Sequence, residues 1–236
     1  MAKQTGIVSK LFMDSRDESG DIGAINSIAL SRAQLDVTSI QSEFMERLPG
    51  VGDGSMSFTS FFNPTGVHTR LSAMATAVKL VTASLGTAIG DAAATLNGPE
   101  TGYSTQRGQD GSLVSTVDFA SYGGNGVEWG RLGANGTFAS AGSAATLDGA
   151  ASTSTGAAAV LHLLSIASGT ATFKVQDSAD DSSYTDVTAL TFTAASAGTA
   201  QRVETAGTAT LRRYTKVVAT GTFGTAVAAV NIIRGL

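Results

Sequence analysis

The chain of 236 residues has no cysteine. That removes disulfides, thiolate metal sites and a thiol nucleophile, and leaves stability to packing and assembly. Histidine is nearly as scarce. Only His68 and His162 occur, neither stands in an organised Ser/His/Asp order, and there is no GxSxG elbow. Both are expected to be structural, and no enzymatic activity is expected. No stretch approaches the roughly 20 apolar residues of a membrane helix. The longest apolar-leaning run, residues 157–167, is broken by His162 and Ser165. The opening MAKQTGIVSKLFMDS holds no apolar run long enough for a signal peptide.

Charge is scarce too. Aromatic residues make up 6% and charged residues 14% of the chain. A surface so rich in Ser, Thr, Ala and Gly is cheap to desolvate, which suits packing against copies of itself. The net charge of −4 is unevenly placed. Residues 1–132 hold nine Lys/Arg and thirteen Asp/Glu, whereas residues 133–236 hold six of each. With no basic patch, tight nucleic-acid binding is excluded on electrostatic grounds.

Further chemistry is excluded by context. The glycine-rich GVGDG at 50–54 and GGNG at 123–126 do not join a strand to a helix as a phosphate cradle requires, so no nucleotide or other cofactor is expected. Asp177, Asp180, Asp181 and Asp186 crowd one turn, but their spacing is not that of a twelve-residue calcium loop. They read as a solvated hairpin tip with Asx turns, and no metal is expected. The single tryptophan, Trp129, is expected to anchor a core edge.

What the chain does have is alternation. Residues 35–40 and 55–63 switch between apolar and polar side chains with period two, the mark of strands with two differently solvated faces. In the second, Met56, Phe58 and Phe62 fall on one side and Ser57, Thr59 and Phe61 on the other. Residues 41–54 between them read as a loop far longer than a hairpin needs, and such a loop on a rigid pair of strands exists to touch something. Asn63-Pro64 then opens a helix over 65–76, with Val67, Leu71 and Met74 forming one apolar stripe. Residues 77–84 and 112–122 read as strands, with Leu113, Val117 and Phe119 toward the core and Val114, Thr116 and Asp118 on the other face. Asn97-Gly98 and Asp110-Gly111 read as hairpin turns. Residues 133–156, almost all Gly, Ala, Ser and Thr, read as a linker. Beyond it, strands over 157–166, 170–177, 184–193, 200–204, 212–218 and 227–234 indicate a small antiparallel sandwich.

The segments LDVT, ERLPGVGDGS and SFTSFFNP resemble the major tail tube protein of long-tailed bacteriophages, and the order of elements from Gly50 to about Leu132 fits that likeness. Residues 157–234 resemble a β-sandwich appended to some phage tail tube proteins. The resemblance implies a mainly β fold, a tail-tube-type sandwich or barrel with one short helix over 1–132, then the linker and a decorating sandwich over 157–236. It implies a structural virion subunit that forms stacked hexameric rings and a hollow tube, assembled in the host cytoplasm and carried in the virion tail. Its partners would be its own copies, the tape-measure protein, and the terminator and tail-tip proteins. Genomic DNA would pass without specific binding, and no membrane would be involved. Glu43, Phe44, Glu46, Arg47, Leu48, Pro49 and Asp53 would reach a neighbouring ring or subunit, as would an extended N-terminal arm. Asp36, Ser57, Thr59, Thr116 and Asp118 would face the lumen, where an acidic wall repels phosphates. Two other readings stay open: a capsid or tail decoration or carbohydrate-binding module, and the inner tube of a contractile injection machine.

Overall fold

The computed structural model describes residues 8–74 and 76–236. The fold is mainly β. In chain order it comprises β1 (Lys10–Met13), β2 (Arg16–Asp17), β3 (Ile22–Asp36), β4 (Arg47–Phe61), α1 (Val67–Leu71), β5 (Lys79–Ser84), β6 (Ala92–Gly98), β7 (Glu100–Arg107), β8 (Leu113–Ala120) and β9 (Val127–Phe138). Then follow β10 (Gly142–Ser143), β11 (Leu147–Asp148), β12 (Ala157–Ile166), β13 (Gly169–Ser178), β14 (Thr185–Thr191), β15 (Thr199–Glu204), β16 (Tyr214–Phe223) and β17 (Ala226–Arg234).

The chain folds into two compact units that interleave in sequence. One gathers the described residues through 20 with 80–95 and 128–236; the other gathers 21–79 and 96–127. This differs from the expected division at 133–156. Residues 133–138 are not linker but the second half of β9, paired with β17 from Ala226↔Phe138 to Ile232↔Arg131. Leu147, at 4% exposure, is a core residue of the first unit. The composition misled because close packing calls for a small residue there: a Cβ at Gly133 would lie 2.5 Å from Ile232 Cδ1. The sandwich is therefore not confined to residues 157–236.

In the first unit an eight-stranded sheet runs β15-β12-β17-β9-β6-β5-β1-β2, and a second sheet runs β10-β16-β13-β14, with β11 also on β16. Their inner faces share one core that includes Leu161, Leu163, Phe173, Phe192, Val217, Val230 and Ile232. Phe138 meets Phe173 edge-on at 5.3 Å between centroids, a favourable aromatic geometry. Arg202 on β15 reaches across the larger sheet to Glu128 through two hydrogen bonds of 2.7 and 2.6 Å. β1 pairs β5 from Lys10↔Ser84 to Met13↔Val81, so this part of the expected N-terminal arm lies in the sheet, while residues 1–7 fall outside the described residues.

The buried His162 closes a directional chain within this unit. Its Nδ1 lies 2.7 Å from the Asp14 carbonyl, which can only accept, so Nδ1 carries the proton. Nε2 then accepts from the Thr82 hydroxyl at 2.7 Å. Thr82 in turn accepts from Thr95 at 2.8 Å, and Thr95 accepts from the Asn231 amide at 2.9 Å. Phe12 stacks on the imidazole at 5.7 Å. Burial holds the His162 pKa down at about 4, only partly opposed by its bond to Asp14.

The second unit is a four-stranded antiparallel sheet ordered β3-β4-β8-β7. Met56, Phe58, Val117 and Phe119 are buried on one face, with Phe58 and Phe119 stacked at 5.9 Å. The helix lies on that face: His68 Nδ1 meets Tyr103 Oη at 2.8 Å, and Tyr103 donates to Ser115 at 3.0 Å. It spans Val67–Leu71 alone, shorter than the expected 65–76. Gly66, not Asn63, is its N-cap and makes no side-chain capping bond. Asn63 instead accepts from Thr65 in a turn, and Met74 lies beyond the helix in the left-handed region at φ 43°. Two further readings are corrected. Leu113 is 39% exposed. Asn97-Gly98 is no hairpin turn, because β6 and β7 belong to different sheets.

Two outcomes follow. A chain ended after Leu132 loses β12, β15 and β17 from the larger sheet and is expected to be insoluble or unfolded by circular dichroism; a soluble, cooperatively melting product would contradict the interleaved architecture. As for pH, the unfolded chain protonates His162 below about 6.5 and the folded one only near 4, so protonation favours unfolding between those values and adds nothing below. Denaturant unfolding should show about 3 kcal/mol of stability lost from pH 7 to 4 through this residue, and His162→Gln should flatten the curve. Parallel curves for the two proteins would remove His162 as the cause.

Candidate assembly surface

β3 and β4 are each fifteen residues long and pair from Ile22↔Ser60 to Asp36↔Arg47. β8 covers β4 only from Ser55 to Phe61. Residues 47–54 of β4 thus have a strand on one side alone, and with their β3 partners they form a two-stranded ribbon. Eight residues at ~3.3 Å each extend it about 26 Å beyond the sheet. The ribbon leaves the sheet at Gly54, whose N–H bonds Ser121 Oγ at 3.1 Å and whose carbonyl accepts from Ser121 N at 2.7 Å. A Cβ at Gly54 would lie 2.7 Å from the Val127 nitrogen, so only glycine permits this approach.

The expected loop 41–54 is accordingly corrected. Glu43, Phe44 and Glu46 do lie in the connection, residues 37–46. Arg47, Leu48, Pro49 and Asp53 are strand residues opposite Asp36, Leu35, Gln34 and Ser31. Pro and Gly punctuation suggested a loop, but Pro49 has no strand on its outer side and forfeits no ladder bond there. Register shifts at Ile22/Ala24, Ile25/Ser27 and Arg32/Gln34 mark bulges, which strengthen twist and bend the ribbon.

The connection is ordered by its own polar groups. Asp36 Oδ1 accepts from the Thr38 N–H at 2.9 Å and its hydroxyl at 2.5 Å. These bonds hold the Asp36 carboxyl below its ordinary pKa, the hydroxyl bond contributing most. Thr38 Oγ1 accepts from Glu46 N, and Val37 N donates to Glu46 O, both at 2.9 Å. Around this scaffold apolar side chains face outward: Phe44 is 81% and Val51 85% exposed, Ile40 fully so, and Leu30, Leu35, Met45 and Leu48 more than half. So much exposed apolar surface on one projection makes it a candidate interaction site.

The expected lumen residues separate into two places. Ser57 stands opposite Asp118 and Thr59 opposite Thr116 across β4 and β8, so these four share the sheet face turned away from Phe58 and Phe119. Asp36 lies at the far end of the ribbon. Two partners on the polar face escaped the sequence reading: Ser104, opposite Thr116 on β7, and Asn26, whose amide reaches Thr59 Oγ1 at 3.0 Å and Ser57 Oγ at 3.4 Å. Asn26 sits at a bulge, where alternation alone misplaces it. The aspartates of the 177–186 turn bind separate partners: Asp186 takes Lys174 and Gln176, Asp177 the Arg212 N–H, and Asp180 Ser178, Ser182 and Ser183.

No family model and no curated protein matches this chain. Solved structures do match in fold. A protein of the virion of a native gene transfer agent particle aligns at TM-score 0.42 and 20% identity, over 51% of this chain and 95% of its own. The Dit hub protein of phage SPP1 aligns at TM-score 0.34 and 10% identity, over 96% and 99%. A protein of the extended sheath–tube complex of an extracellular contractile injection system aligns at TM-score 0.40 and 10% identity, over 55% and 92%.

Proposed function

We propose that this chain is a structural subunit of a phage tail tube that polymerises through the β3–β4 ribbon. The observation that carries the reading is the ribbon itself: two strands, uncovered, with large apolar side chains on the outside. An isolated two-stranded hairpin is marginal in water, so this one is completed by a neighbouring copy. The edge strand β7 supplies a second complementary border, along which the second unit's sheet extends into the next subunit, pairing an edge that would otherwise invite aggregation. In this reading, stacked hexameric rings enclose a lumen lined by Ser57, Thr59, Ser104, Thr116 and Asp118. That surface is hydroxyl-rich and carries one carboxylate, so it wets well and repels phosphate. Its partners are its own copies, with the tape-measure, terminator and tail-tip proteins at the ends, and its role is passive conduction of DNA in the virion tail rather than catalysis.

Phe44→Asp combined with Ile40→Asp is expected to leave folding within ±0.5 kcal/mol of wild type, since both side chains are exposed, while abolishing tube growth. Negative-stain microscopy and sedimentation check this, and normal tubes from the double variant would refute the ribbon's role. Asp118→Arg should still assemble, yet its tubes should retain DNA at low salt and release it as salt rises. A filter-binding assay across a salt series measures that; assembled tubes indifferent to the substitution would place Asp118 elsewhere than the lumen.

A further inference from the structure

Trp129 is the only tryptophan, and it does not anchor the core edge as expected: 48% of it is exposed. It stands on β9 two residues from Arg131, so the two project from the same face of the strand. They border a cavity of about 340 Å³, at the lower end of the roughly 300–1,000 Å³ of small-molecule sites. The floor is apolar, formed by the core residues Leu147 and Ile232. Gly149 and Arg234 complete the rim. A Cβ at Gly149 would lie 2.1 Å from Arg234 Nη1, so the glycine is what lets the guanidinium sit there.

The charge around this cavity does not balance. Arg213 holds Asp148 in a two-pronged pair at 2.8 and 2.7 Å, and Arg212 faces Asp177 at 3.9 Å. Arg234 directs its hydrogens to four main-chain carbonyls, those of Ala151, Arg212, Arg213 and Leu211, which cancel no net charge. Burial, and after it repulsion from Arg131, lower the Arg234 pKa. Arg131 itself is exposed and has no hydrogen-bond or ion-pair partner among the described residues. Two positive charges are left over beside an indole face and an apolar floor.

We infer that this cavity binds an acidic saccharide, whose apolar ring face stacks on Trp129 and whose carboxylate is taken by the Arg131 guanidinium. A planar guanidinium matches a carboxylate in two parallel hydrogen bonds, and an indole half in solvent offers a ring-sized apolar platform with its N–H free to bond. A bare inorganic anion would leave both the platform and the floor wet. The inference involves residues of the first unit alone and does not rest on the tube reading.

Because Trp129 is the sole tryptophan, its fluorescence reports on the cavity in the full-length protein. Titration with D-glucuronate at constant ionic strength should give a saturable change. D-glucose and inorganic phosphate should each bind at least about tenfold more weakly, the first for want of charge and the second for want of a ring. Arg131→Ala should weaken glucuronate about tenfold at an unchanged melting temperature, with Arg131→Lys between the two. Glucose or phosphate matching glucuronate, or undiminished glucuronate binding by the folded Arg131→Ala protein, would overturn the assignment.

Discussion

The backbone of residues 47–54 has a hydrogen-bonding neighbour on one side only. Main-chain N–H and C=O groups demand partners wherever water is excluded, and an uncovered strand is a template for another. The same ribbon carries Ile40, Phe44 and Val51 into solvent. One element thus presents one-sided backbone pairing and exposed apolar side chains together. The rest of the second unit prepares it. Phe58 and Phe119 hold β4 against β8, and Ser121 grips Gly54 where the ribbon departs.

The first unit is stabilised differently. Its larger sheet buries polar side chains, and the run from Asn231 through Thr95, Thr82 and His162 to the Asp14 carbonyl links them in a single donor-to-acceptor direction. Buried polar groups are costly singly and specifying when fully paired. The run joins five segments remote in sequence, so it fixes which strands lie together. Arg234 does similar work at the cavity rim, gripping carbonyls of residues 151 and 211–213.

Much of this was legible in the sequence where period-two alternation was clean. Strands at 157–166, 170–177, 200–204 and 227–234 sit within a residue of those observed; β13 alternates between a buried and a partly exposed face, whereas β12 and β17 are buried on both faces along most of their length and show as apolar runs. The polar group Ser57, Thr59, Thr116 and Asp118 was legible for the same reason, as both strands keep strict alternation through their paired stretch. The ribbon was half legible. Its purpose showed in its length, but Pro49, Gly50, Gly52 and Gly54 hid its strand character, since local punctuation is silent about which side of a strand is paired. Residues 133–138 were misread because Gly and Ala packed closely against β17 look like a linker. Trp129 was misplaced since exposure beside Arg131 depends on β17, about a hundred residues away. Asp36 was grouped with Asp118 on polarity alone, and nothing local records that Asp36 pairs Arg47 at the end of the ribbon while Asp118 pairs Ser57 within the sheet.

The strand latest in chain order, β17, is an interior one, flanked by β12 and β9. The larger sheet therefore stays open until residue 234 has left the ribosome, although the ribbon sequence emerges almost two hundred residues earlier. Domains generally fold as units once their whole sequence is available. Translation thus sets an order of events. Closure of the first unit's larger sheet waits on the residues of β17, long after those of β1 have been made.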